Sequence, residues 1–187
     1  MKKLALLLSI IILASCGQTG NTDSRNNITA KAVTTPANWK TYSNDSCSIQ
    51  YPPDWTVKEK FMGTEFALLA AIDSTSPTFA ENVNLTKQDV TGKDQSLDKV
   101  VPATIELLKN IMTNFSLLSS TRKKDAAGVE YQQIIYTCNQ GTLALKQEQQ
   151  YRVINNMAYI LTLTTLQDGW EKGYQLGEQI MATFSVK

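Results

Sequence analysis

Three cysteines, seventeen acidic side chains and no histidine bound the chemistry open to this 187-residue chain. Without histidine there is no Ser-His or Cys-His nucleophile pair and no histidine-ligated zinc or iron. The acids Asp73, Glu81, Asp89, Asp94, Asp98, Glu106, Glu130, Glu148, Asp168 and Glu171 are scattered, so no glycosidase-type carboxylate pair is legible. Gly92-Lys93 looks like the end of a phosphate-binding loop. Residue 87 is lysine, however, where the first glycine is needed, and Asp94 stands where Ser or Thr would meet magnesium. Asp73-Ser74-Thr75-Ser76 supplies one carboxylate where a calcium loop wants acids at alternate positions. The expectation is a protein that is not an enzyme and needs no metal or cofactor.

The thiols remain. Lys2 and Lys3 precede the apolar run from Leu4 to Leu13, then Ala14, Ser15 and Cys16, the order of a secretory signal. The run is half the roughly 20 residues of a bilayer-spanning helix, so it is read and removed rather than kept as a span. Leu13-Ala14-Ser15-Cys16 resembles the lipobox of bacterial lipoproteins. That resemblance implies cleavage before Cys16, diacylation of its thiol and acylation of the new amino terminus. Three acyl chains exceed the two signals needed for stable anchoring. The membrane is thus one expected partner. Gly17 is not the aspartate that retains enteric-type lipoproteins in the inner membrane, which favours the outer membrane facing the periplasm. Cys47 and Cys138 then stand alone in an oxidising compartment. A disulfide between them would close a loop of about 90 residues and stabilise by roughly 2 to 4 kcal/mol. Two separately buried thiols are the alternative, and the sequence leaves both open.

Removing residues 1–15 takes away Lys2 and Lys3 and no acid, so the formal charge moves from +1 to −1. Nucleic acid is excluded, because its binding needs clustered cations that displace counterions. The sole basic run, Arg122-Lys123-Lys124, reads as a solvated turn before Asp125 and Gly128. Residues 16–38 are rich in Gly, Asn, Thr, Ser and Ala and cannot bury enough apolar surface to offset their ordering. They read as a flexible tether, whose 22 residues after the cysteine reach roughly 25 Å. Residues 39–187 form one domain by length.

Within it the hydrophobic period is mostly two. Ser48 to Tyr51 reads as a strand that Pro52-Pro53 ends in a hairpin corner, followed by Trp55 to Lys58. Phe66 to Ile72 and the run around Val83 and Leu85 alternate like half-buried strands. Ser96 caps a helix whose stripe is Leu97, Val101, Ile105, Leu108, Met112 and Phe115. Pro102 suggests that its regular part starts only near Val101. Strands follow at Leu117 to Thr121, Val129 to Thr137, Leu143 to Ile154 and Met157 to Leu166. Asn155-Asn156 makes a tight hairpin between the last two. A second helix runs from after Asp168 to about Thr183, with Gly169, Gly173 and Gly177 on one face for close packing. The fold class is α+β, an antiparallel sheet covered by helices.

Ser48-Ile49-Gln50-Tyr51-Pro52-Pro53-Asp54-Trp55 resembles the opening strand and Tyr-Pro corner of PsbP-like domains. Glu81 to Leu85, Gly128 to Tyr131, Tyr151, Ala158 to Thr162 and Thr183-Phe184 match later features in the same order, over residues 42–186. The resemblance, which includes small bacterial lipoproteins similar to DcrB, implies an α/β/α sandwich acting as a non-enzymatic binding or assembly module. The calcium, chloride and manganese links of plant PsbP do not transfer readily to a chain without histidine.

Two functions follow. One is a lipid-anchored module that engages an envelope protein partner; the other is a periplasmic carrier holding a small or lipidic ligand between sheet and helices. Tyr131, Tyr136, Tyr151 and Tyr159 could form a binding surface if exposed together, or cap the core beneath the helices. The run Gln147-Glu148-Gln149-Gln150 suggests a sheet edge or a solvated face.

Overall fold

In a computed structural model of the chain, the structure describes residues 35–72, 79–94 and 96–187. The signal segment, Cys16 and most of the expected tether lie outside the described residues. The strands are β1 (Lys40–Ser43), β2 (Cys47–Tyr51), β3 (Thr56–Glu59), β4 (Phe66–Leu69), β5 (Asn82–Asp89), β6 (Thr113–Lys124), β7 (Glu130–Gln140), β8 (Leu143–Ile154), β9 (Met157–Leu166) and β10 (Ser185–Val186). The helices are α1 (Leu97–Ile111) and α2 (Trp170–Ala182). Seven strands form one antiparallel sheet in the order β3-β4-β5-β9-β8-β7-β6, and β1-β2-β10 form a small second sheet. The fold is α+β.

Strand alternation gives the large sheet two buried faces, each with its own core. On one, α1 packs over β6, β7 and β8, and Val101 and Leu108 meet Ile134, Tyr136, Cys138, Leu145 and Tyr151. On the other, α2 and the small sheet close over β9 and β5. There Ile49, Phe66, Leu85, Leu161, Leu163 and Ile180 are buried together. The helix-sheet-helix order is the sandwich expected.

The β8–β9 hairpin turns at Asn155 (φ 50°) and Asn156 (φ 64°) as the Asn-Asn step predicts. Four expectations are corrected. Pro52-Pro53 is not a hairpin corner, because β2 and β3 pair in different sheets and the prolines carry the chain between them. The helix begins at Leu97, with Pro102 inside it. One missing N–H there is outweighed by Leu97 and Val101 packing on the core. The basic run Arg122-Lys123-Lys124 ends β6 rather than forming a turn, and Arg122 pairs with Asp98 at 2.6 Å and Glu130 at 3.6 Å. Finally, the polar run of β8 lies in the middle of the sheet, where Glu148 and Gln150 are buried.

The glycine stripe does what its spacing suggests. A methyl group on Gly177 would lie 2.4 Å from Leu163 Cδ2, and one on Gly173 would lie 2.9 Å from Thr165 Cγ2. Only hydrogen lets α2 sit this low on β9. Gly177→Ala is therefore expected to destabilise despite the better helix propensity of alanine, by up to about 2 kcal/mol, since overpacking costs roughly 1 to 3 and propensity returns about 1. Urea unfolding measures it, and adding Leu163→Ala should recover part of the loss; additive effects would show that this contact is not the cause.

Candidate functional site

The side chains that β8 and β7 send toward α2 are mostly polar, whereas β9 sends Leu161 and Leu163 between Tyr159 and Thr165. Along β8 the α2 face carries Lys146, Glu148, Gln150 and Arg152, opposite Thr137, Ile135, Gln133 and Tyr131 of β7. Glu178 and Tyr174 come down from α2. Gln133 Nε2 donates to Glu148 Oε1 at 2.6 Å and lies 3.4 Å from Glu178 Oε1. Gln150 Nε2 does the same at 2.8 and 3.5 Å. Two amides thus hold two carboxyl groups against each other. Burial above all, then the hydrogen bond to Glu148 and its charge, push the Glu178 carboxyl up to about 8, with Lys123 and Tyr174 pulling the other way. At neutral pH Glu178 keeps its proton. The Glu178 and Glu148 carboxyl groups are hydrogen-bonded to each other.

The next residue along this face is Arg152, with 3% of its side chain exposed. Its guanidinium lies between the rings of Tyr131 (4.5 Å) and Phe184 (5.5 Å), and Nη2 donates to Gln150 Oε1 at 3.1 Å. Nε is 3.6 Å from Asp125 Oδ2, too long for a hydrogen bond, and Nη1 has no hydrogen-bond partner. Burial lowers the guanidinium's pKa, and Asp125 opposes this. Asp125 starts the β6–β7 turn, where its Oδ1 accepts the N–H groups of Ala127 and Val129 at 2.9 Å each. Beside Arg152 and this turn opens a cavity of about 340 Å³, bordered by the C-terminal end of α2, by β10 and by Gln50. Thr183 staples that border, accepting Gln50 N–H at 2.8 Å and donating to Ile180 O at 2.7 Å.

The residues singled out from the sequence do not gather here. Tyr136 and Tyr151 are buried on the α1 face, donating to Gln147 Oε1 and Gln149 Oε1. Tyr159 is buried on the α2 face beside Phe184, and only half-buried Tyr131 touches the site. The expected tyrosine surface is not formed, because strand alternation sends the four to opposite faces. Cys47 and Cys138 are both free and buried, one in each core, so the sheet stands between them and the bridge is not made. Burial pushes both thiols up, away from the reactive thiolate. Among the described residues no three His, Cys, Asp or Glu side chains are grouped to hold a metal ion.

Glu148, Arg152, Glu178 and Asp125 escaped the sequence reading as a group. The available signal was the unbroken polar run from Lys146 to Gln150, with Arg152 beyond it, in a strand flanked by apolar residues.

Two outcomes test this site. The folded state binds Glu178's proton more tightly than the unfolded chain does. Its contribution to stability is full below the ordinary value of about 4.5, falls as pH rises toward about 8 and is flat above. Glu178→Gln imitates the protonated carboxyl, so its melting temperature should gain on the parent's steadily between pH 5 and 8; parallel profiles would refute the shared proton. Alkylation of the unreduced protein should label Cys47 and Cys138 only after denaturation, and mass spectrometry finding them linked would refute their separation.

No protein-family model matches the sequence, and no curated protein matches it. Solved structures do. The cyanobacterial PsbP protein (CyanoP) of Synechocystis sp. PCC 6803 superposes with a TM-score of 0.61 at 15% identity, over 82% of this chain and 95% of its own. LpqN of Mycobacterium tuberculosis, involved in cell envelope biogenesis, gives 0.62 at 14% identity over 80% and 90%. PA94 of Pseudomonas aeruginosa, of unknown function, gives 0.56 at 15% over 79% and 96%. At these identities the likeness is one of fold, and the fold of this chain is PsbP-like.

Proposed function

We propose that this chain is a non-enzymatic binding or assembly module of the cell envelope, lipid-anchored through Cys16, that engages a protein partner. The observation that carries the partner reading is a set of exposed apolar side chains on a sheet-edge strand and on the helix packed beside it. Strand β6 ends the seven-stranded order with 12 residues and has no strand beyond it among the described residues. Leu118 is 52% exposed there, with Leu117 close behind, and α1 beside it leaves Leu107 (56%) and Ile111 (63%) in water. Apolar groups collected on one surface mark contact sites, and an edge strand can pair its main chain with a partner. The alternative of a lipidic ligand between sheet and helices is less favoured, since large apolar side chains fill both layers.

The likeness to LpqN supports the envelope setting. No helix among the described residues is long and apolar enough to cross a membrane, and the lipobox resemblance provides a different means of attachment. The outer membrane's periplasmic face is the location this reading favours.

Two experiments test these points. Cys16→Ser should move the protein from the membrane to the soluble fraction; retention in the membrane would overturn the anchor. Cross-linking in native membranes, then pull-down, should recover a protein adduct that Leu118→Lys or Leu107→Glu abolishes without unfolding the domain. Recovery of lipid alone would overturn the partner reading.

A further inference from the structure

We propose that the cavity beside Arg152 binds a free α-amino acid with a branched aliphatic side chain, carboxylate toward Arg152 and ammonium toward Asp125 and the end of α2. The proposal deepens the reading of the chain as a binding module, but it uses different residues from the β6 edge. It starts from a guanidinium that the fold buries and leaves under-bonded. Arg152 lies over the rings of Tyr131 and Phe184, yet Nη1 has no hydrogen-bond partner and Nε has only a 3.6 Å contact. Unmade hydrogen bonds on a buried charge are costly, and a carboxylate at bonding distance supplies what is missing.

A bare anion would meet opposition. Asp125 lines the same cavity, and so does the C-terminal end of α2 at Ala182 and Thr183, the negative end of the helix dipole. A ligand carrying a positive group next to its carboxylate turns both into attractions. Glu148, on the far side of Gln150, adds negative charge behind the arginine. The rest of the wall is mostly apolar, with Val129, Ile154 and Val186 facing the space beside the polar Gln50, Thr183 and Ser185. About 340 Å³ lies at the small end of ligand pockets, which run from roughly 300 to 1,000 Å³, and so suits a single small molecule. The charge pair and the apolar wall together describe an aliphatic zwitterion.

Isothermal titration of the full chain, purified in detergent, tests this with three probes. L-leucine carries both charges, 4-methylpentanoate keeps its branched chain and carboxylate without the ammonium, and 3-methylbutylamine keeps the chain and amine alone. Leucine should bind saturably, and each half-molecule about tenfold or more weaker, a difference of about 1.4 kcal/mol. Asp125→Asn keeps the Oδ1 acceptor for Ala127 and Val129 while removing the charge. It should weaken leucine about tenfold and bring 4-methylpentanoate level with it. Arg152→Lys, which loses the planar donor fork, should weaken both carboxylates. If circular dichroism shows that variant unfolded, the Asp125→Asn comparison decides. Absence of leucine binding, 4-methylpentanoate binding as tightly as leucine, or unchanged leucine affinity in Asp125→Asn would each overturn the proposal. None of these outcomes bears on the cross-links of the β6 edge, so the two readings fail separately.

Discussion

The low seat of α2 on the large sheet is the constraint from which the rest follows. Gly173 and Gly177 let the helix backbone approach Thr165 and Leu163 more closely than any side chain would allow. That approach buries Ile180 and Met181 and brings Glu178 within reach of Glu148. It also sets where the helix ends. From that end Thr183 ties β2, Phe184 covers Arg152, and β10 returns to pair with β2. A helix held a few ångströms higher would lose the small sheet's dock and open the polar seam to water.

Strand β8 shows how a central strand can be polar on both sides without being solvated. Gln147 and Gln149 accept the hydroxyls of Tyr136 and Tyr151 beneath α1. Glu148 and Gln150 turn toward α2 and join Gln133 and Glu178. Buried polar groups are tolerated when partnered, and here the partners come from the strand itself, its neighbour and the helix above. The exceptions are instructive, for the Glu148 and Glu178 carboxyl groups face each other in the seam, and Arg152 is left with unused donors beside a cavity. A single strand thus passes from structural polarity at Gln147 to an under-bonded cation at Arg152.

The two faces of the molecule serve different ends in this reading. The α1 side ends in the exposed leucines and the free edge of β6, a surface for a partner. On the α2 side a cavity opens at the helix's C-terminal end. A tether at Cys16 would hold both near a membrane, and the PsbP-like fold, shared with proteins of very different organisms, is a scaffold on which such surfaces can vary.

By itself the sequence determined most of the elements. Period-two runs placed β8 and β9 to the residue, Asn155-Asn156 set their turn, and the apolar stripe from Leu97 to Leu108 marked α1, because these signals are local and repeated. The last members of that stripe, Met112 and Phe115, nevertheless fall at the helix cap and in β6. The glycine spacing announced close packing, and the short motifs from Ser48 to Trp55 pointed to the fold. What it could not convey were the two-residue partners of longer strands, such as β10, whose only reason to be extended is pairing with β2. Nor could it say which face a polar residue meets. Glu148 reads as solvated in one dimension because the groups that satisfy it, Gln133 and Glu178, lie 15 and 30 positions away in the chain. Tyr136 and Tyr159 look alike in sequence, yet alternation sends them to opposite cores, and Cys47 and Cys138 are parted because they belong to different sheets. Pattern fixed the period of each element; only tertiary packing decided what each side chain would face, because burial and partnership are properties of the assembled layers.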